Sequence, residues 1–419
     1  MEQRTSQVLE PAAHHRAGDG SWARASALWA RATALWARVP PHWRQAVVLF
    51  LVSRAVLTLL GVLALHAFAD SPGSPSPGDM FMQHERQAVS GHKWYSMWFA
   101  WDSFLYRDIA ERPIEGRWTD FGFPLLYPML AKVVAVPFGG DAALALLVIG
   151  NVAYIVLLSY AYRWALLVLG DERSARRCTR YVVLMPTAFL FHAALTESLF
   201  VCLAVAVFYH AERGRWLLAG FLGFFLALTR SIGFLAVIPL AMLLLRGNGY
   251  RLDARTAAGY LRAGWPLLLL PAGWASFMAL SRWQVGDWFA YQHAQQRGWG
   301  ITMQNPLETI WTGLTASRPL DQARVIGALL VLAVAAAGLR RLHPAYAVYT
   351  LVFVLAAMAI GPPVFKSLLR YVLVAFPVAA VLAGRSASRG ADAATTAVLA
   401  VVQAALFVLW LAYWTHTII

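Results

Sequence analysis

The chain has 419 residues, of which 59% are apolar and only 13% charged, with a formal net charge of +14. Soluble domains carry about 25% charged residues, so a water-soluble globular fold is excluded. The positive charge does not mark a nucleic-acid binder either, because the arginines sit in short clusters between apolar runs, as the cytoplasmic turns of membrane proteins do.

Many runs reach the ~20 apolar residues of a spanning helix, and they fit helices better than the weakly alternating strands of a barrel. The expectation is an all-α polytopic membrane protein.

Residues 1 to 20 are polar and read as disordered. The repeat WARASAL, WARATAL, WARVPPH follows. It puts Trp22, Trp29 and Trp36 on one helical face and Arg24, Arg31 and Arg38 roughly opposite, until Pro40 and Pro41 stop it. This lead, residues 1–45, reads as an amphipathic helix on the cytoplasmic leaflet, with a short coiled coil or a disordered lead as the alternatives. No cleavable signal peptide is visible, since the first apolar run begins near Ala46.

The membrane domain is read as 46–419. Its first span covers 46–68, and the basic lead keeps the N-terminus inside. The loop 69–121 is then outside; it opens with SPGSPSPG and leads to WFAWDSFLYRDIAERPIEGRWTDFGFPLLYP. There Asp102, Asp108, Glu111, Glu115 and Asp120 crowd together. PLLYPMLAKVVAVPF is short and proline-bracketed, so it reads as re-entrant or interfacial.

A span at 142–169 is followed by two out-and-back passages, 179–211 and 216–245, turning near HAALTES and TRSIG. A span at 264–281 leads to a second outer loop, 282–321, rich in Trp, Gln and Tyr. The last spans fall near 322–338, 345–360, 371–384 and 394–416. The total is about eleven, and the short arms of the passages 179–211 and 216–245 leave that count open by two.

Asp102, beside Trp101 at the outer end of the bundle, can take a proton from a hydroxyl nucleophile. The plainer reading is a solvated acid or a helix cap. Asp108 can pair with Arg107 or Arg112, and Glu111 and Glu115 read as a solvated face. Glu197 and Arg230 are each odd in an apolar run: they read either as a functional site or as an ion pair with each other.

Lys366 and Arg370, four residues apart, suit a phosphate, or they snorkel at a helix end. Cys178 and Cys202 have neither metal nor disulfide spacing, and no Gly-rich phosphate loop, HExxH or GxSxG occurs.

Taken in order, AWDSFLYRDIA, FPLLYPML, PTAFLFHAALTESLF, LTRSIG and FKSLLRYVLVAFP resemble the PIG-V family, the GPI mannosyltransferase II group and its bacterial relatives. The resemblance runs from about 46 to 384 along the chain and implies a GT-C bundle of about 11 transmembrane helices with a catalytic first outer loop. It further implies an inverting glycosyltransferase that takes a sugar, usually mannose, from a polyprenyl-phosphate carrier at the non-cytoplasmic face.

By the same resemblance Asp102 is the general base, although Ala100 stands where the family's histidine precedes the tryptophan. Arg370 with Lys366 would meet the carrier phosphate. Trp101, Tyr106, Asp108, Tyr127, Glu197 and Arg230 complete the expected substrate contacts. No cofactor or metal is called for, and the acceptor is a lipid, glycan or protein hydroxyl. The alanine- and arginine-rich composition suggests a bacterial plasma membrane with the site outside, or the ER membrane if the source is eukaryotic. The alternative class is a polytopic lipid or solute transporter.

Overall fold

The computed structural model describes residues 19–67, 93–247, 249–251 and 253–412. The polar stretch 1–18 and the SPGSPSPG segment lie outside these. Among the described residues every regular element is helical.

Five helices are long and apolar enough to cross a membrane: Pro41–Ala67, Ala142–Leu169, Thr256–Val285, Pro319–Arg340 and Arg389–Leu411. The pair Pro362–Val372 and Pro377–Arg385, bent by 56°, has the form of a broken span or a re-entrant loop, and makes a sixth crossing only as the former. The protein is an integral membrane protein.

Among the described residues the other apolar passages are made of shorter arms, as expected for 216–245. Trp216–Thr229, Ser231–Arg246 and Pro344–Met358 are apolar but have 10–17 residues. At ~1.5 Å per residue such arms fall short of a ~30 Å hydrocarbon core. Broken helices are tolerated where the break is buried in protein, as the break before Glu197 is. Phe189 to Ala194 have no exposed surface, and Ala194 N–H finds the Trp98 carbonyl at 2.9 Å. Both breaks fall where turns were expected, at the TESL and TRSIG segments.

Ala142–Leu169 is the central post, with 61% of its apolar stretch buried inside the protein, against 22% for Pro41–Ala67 and for Arg389–Leu411. Its ends are written locally. Asp141 caps the start by accepting from Leu144 N–H at 2.9 Å, and Gly170 ends it in the left-handed region at φ 82°. The first span packs against it and against the last span.

Trp216–Thr229 lies against Leu269–Val285 through Gly223 and Gly273, close enough that Gly273 touches the Phe224 backbone. The expected re-entrant piece is the nine-residue helix Leu126–Val134 with a 3-10 turn at Val136–Phe138, too short to cross. The tryptophan–arginine repeat is the helix Asp19–Arg38, which stops just before Pro40 and leaves Trp29 and Trp36 exposed.

Candidate active site

Two carboxylates begin two helices. Asp102 is the first residue of Asp102–Glu111, and Glu197 the first of Glu197–Glu212. A helix N-terminus carries partial positive charge, which suits a carboxylate.

The turns ahead of them are tied together. Ser103 Oγ accepts from Ala100 N–H at 3.2 Å and donates to the Ala194 carbonyl at 2.9 Å. Trp101, between them, sits at φ 48°, ψ −112°, left-handed backbone that is unfavourable for a residue with a side chain. Its ring meets Trp410 edge-on at 5.9 Å, so the last helix backs this turn.

Arg370 joins the two acids. Its Nη1 donates to Asp102 Oδ2 at 2.5 Å, and its Nε donates to Glu197 Oε1. Arg230 Nη1 donates to the same Glu197 oxygen at 2.8 Å. The chain Asp102–Arg370–Glu197–Arg230 is therefore electrically neutral as a group.

Side-chain exposure falls inward, from 18% for Asp102 and 11% for Arg230 to 6% for Arg370 and none for Glu197. Glu197 is thus the anchor and Asp102 the reachable end. Asp102 Oδ1, Arg370 Nη2 and Arg230 Nη2 make no hydrogen bond with the described residues. Arg230 also lies over Tyr371, 5.0 Å from the ring centroid. Arg370 reaches to 5.9 Å from the Trp101 ring.

The remaining expected residues divide. Tyr106 follows Asp102 by one helical turn and is buried edge-on to Tyr127 at 5.3 Å. The Tyr127 hydroxyl donates to the Leu146 carbonyl at 2.7 Å, a contact that positions helix on helix. Asp108 is ion-paired to Arg112 away from the quartet, on a side chain 44% exposed. Glu111 pairs with Arg107 at 2.7 Å and Glu115 with Arg117 at 3.6 Å, both on the surface. Asp120 is buried and accepts from the backbone N–H of Glu115 and Arg117, which shapes the loop. Lys366 is exposed, with no ion pair among the described residues.

Three neighbours were not expected. Arg54, inside the first span, lies 4.1 Å from the Trp98 ring centroid and donates to the His192 carbonyl at 2.9 Å. His192 itself bonds Ser53 at 3.0 Å. A lone arginine in an apolar run was the available signal. Tyr291, from the loop 282–321, bonds Ser231 at 3.0 Å, beside Arg230, and Gln295 donates to the Gly122 carbonyl at 2.6 Å. Nothing local marks those two as reaching the first loop. No cluster of three His, Cys, Asp or Glu that could hold a metal occurs among the described residues.

No protein-family model matches the chain, and no curated protein does. Among solved structures, ArnT from Cupriavidus metallidurans, in a crystal structure with undecaprenyl phosphate, aligns over 74% of this chain and 67% of its own. The identity is 13% and the TM-score 0.44. At that level nothing about activity passes from one chain to the other.

Proposed function

We propose that this protein is a membrane glycosyltransferase of the GT-C type that moves a sugar, mannose by its resemblance to the PIG-V family, from a polyprenyl-phosphate carrier to an acceptor hydroxyl. The observation that carries the reading is the convergence of Asp102, Glu197, Arg230 and Arg370 from four distant segments into one buried network with its open end at Asp102. These are the residues of the motifs that carry the resemblance.

In this mechanism Asp102 accepts the acceptor's proton through Oδ1, while Arg370 holds Oδ2 and fixes the carboxylate's direction. The acceptor oxygen forms a bond to the anomeric carbon from the face opposite the carrier. The bond from that carbon to the phosphate oxygen breaks, and the polyprenyl phosphate leaves with the electron pair. The free faces of Arg370 and Arg230, with Lys366 nearby in sequence, stabilise the charge on the departing phosphate. No acid is needed for a leaving group of that kind. Glu197 binds no substrate here; it holds both guanidinium groups in place.

The test is transfer of radiolabelled mannose from polyprenyl phosphate by purified protein in lipid. Asp102→Asn should lower turnover by about 10²–10⁴, the range of general-base contributions, with donor binding retained. Near-normal turnover in that variant rules out the base role. Flux of a lipid or solute across vesicles without any transfer would favour the transporter reading.

A further inference from the structure

The far end of the bundle holds a second polar cluster, unrelated to the quartet. Glu197 and Tyr209 lie on one helix, Glu197–Glu212. Twelve residues at ~1.5 Å each separate them by about 18 Å. At that end Arg163 Nη2 donates to the Tyr209 hydroxyl oxygen at 2.8 Å, and Arg213 Nη1 donates to the same oxygen at 3.2 Å. Arg163 also lies over the Tyr209 ring, 4.5 Å from its centroid.

Two guanidinium groups therefore converge on one neutral oxygen. With both lone pairs engaged, the Tyr209 proton has no acceptor among the described residues. Next to Tyr209, His210 is 5% exposed and bonds Tyr160 through Nε2 at 3.2 Å, while its Nδ1 is buried without a partner. Arg215 adds a third cation, exposed and unpaired among the described residues.

Several other arginines at this end are spent differently. Arg177 donates to the Ala383 carbonyl at 2.8 Å and Arg385 to the Ala337 carbonyl at 3.2 Å. Arg246 pairs with Glu212 at 2.5 Å, and Arg180 with Asp392. Each of these caps a helix end or neutralises an acid. Arg163 and Arg213 reach neither a carbonyl nor a carboxylate. Like charges held this close repel, and an anion between them removes the repulsion.

The cluster lies near one end of the central post. Arg163 is six residues from the end of Ala142–Leu169, about 9 Å along the axis. Its neighbour Tyr162 lies against His42, in the first turn of Pro41–Ala67, with ring centroids 6.4 Å apart.

We propose that Arg163, Arg213 and the Tyr209 hydroxyl form an anion site that takes a phosphate group, supplied by an anionic phospholipid headgroup or by free phosphate. Three donors, two of them charged, match the oxygens of one phosphate. The site is independent of the transfer chemistry and stands or falls without it.

The test uses the full chain in detergent and in nanodiscs. Native mass spectrometry counts retained phosphatidylglycerol, and thermal melting is followed with added phosphatidylglycerol, phosphatidylcholine or inorganic phosphate. Wild type should retain phosphatidylglycerol and melt higher with it than with phosphatidylcholine. Arg163→Gln with Arg213→Gln should weaken that binding by about tenfold or more, the factor produced by losing one charge-assisted hydrogen bond. Tyr209→Phe keeps the ring and the fold and should weaken it by a smaller factor.

If inorganic phosphate reproduces the stabilisation and competes with the lipid, free phosphate is the source; if phosphatidylglycerol acts alone, the headgroup is. Phosphatidylglycerol retention and melting shifts in the double arginine variant equal to those of wild type, or no response of wild type to either phosphate source, would overturn the site.

Discussion

Arg370 donates to two carboxylates at once, and this makes the four charged residues unequal. Among the described residues, loss of Arg370 leaves Asp102 with no ion-pair partner and the fully buried Glu197 with one of two. Breaking a buried pair by removing one partner costs about 3–5 kcal/mol, since the other charge stays behind in low dielectric. Arg370→Gln should therefore lower the melting temperature sharply in detergent.

Asp102→Asn leaves Arg370 still bonded to Glu197, so the fold should tolerate it far better while transfer is lost. Equal destabilisation by the two substitutions would mean that Asp102 is a structural residue. The sequence could offer the ion pair between Glu197 and Arg230 and also single out Arg370. It could not show that Arg370 sits between the two acids, because that depends on contacts across 173 and 268 residues.

At the scale of elements, close helix contact depends on missing side chains. A Cβ on Gly273 would stand 3.1 Å from the Phe224 carbonyl carbon and closer still to its oxygen. Backbone cannot move aside as a side chain can, so Gly273→Ala should destabilise by about 1–3 kcal/mol, the usual cost of overpacking. Thermal melting in detergent measures it, and an unchanged midpoint would show that the two helices can part without loss.

The loop 282–321 reaches the segment after Asp102 through Gln295 and Trp299, on the helix Ala290–Trp299. From within that helix the His293 ring bonds Asp287, ahead of it, at 2.6 Å and holds its carboxyl below the ordinary value of 3.8. The bond's contribution is thus fully present above pH 3.8 and is lost as pH falls through the lowered value. Limited proteolysis should find this loop increasingly cut below that pH. Asp287→Asn should remove the acid dependence, and identical pH profiles for both proteins would exclude the bond as its cause.

At the scale of the whole molecule, the bundle closes without the leading helix. The quartet draws on residues 102, 197, 230 and 370, and the first and last spans back it through Trp98, which stacks on Phe407 at 5.7 Å, and through Arg54. Asp19–Arg38 ends before Pro41, and Trp29 and Trp36 are exposed. Removing residues 1–39 should leave transfer activity and the melting temperature of the bundle close to wild type. Loss of activity with the bundle intact would give that helix a part in the chemistry.

Hydropathy and charge are local quantities, and what depends on them was legible in the sequence. The membrane class, the posts at 142–169 and 46–68, the breaks near TESL and TRSIG and the stop at Pro40 all follow from runs, caps and prolines within a few turns. So did the oddity of Glu197 and Arg230, since an ion in an apolar run stands out wherever it points.

Packing decided the rest. The five acids of the first outer loop look alike in sequence, yet Asp108 and Glu111 face outward to arginines of their own helix, Asp120 closes its own loop, and Asp102 alone joins the quartet. Only the way helices stack determines which charge is buried beside which. For that reason the neutral network around Arg370, and the two arginines meeting at Tyr209, belong to the tertiary structure.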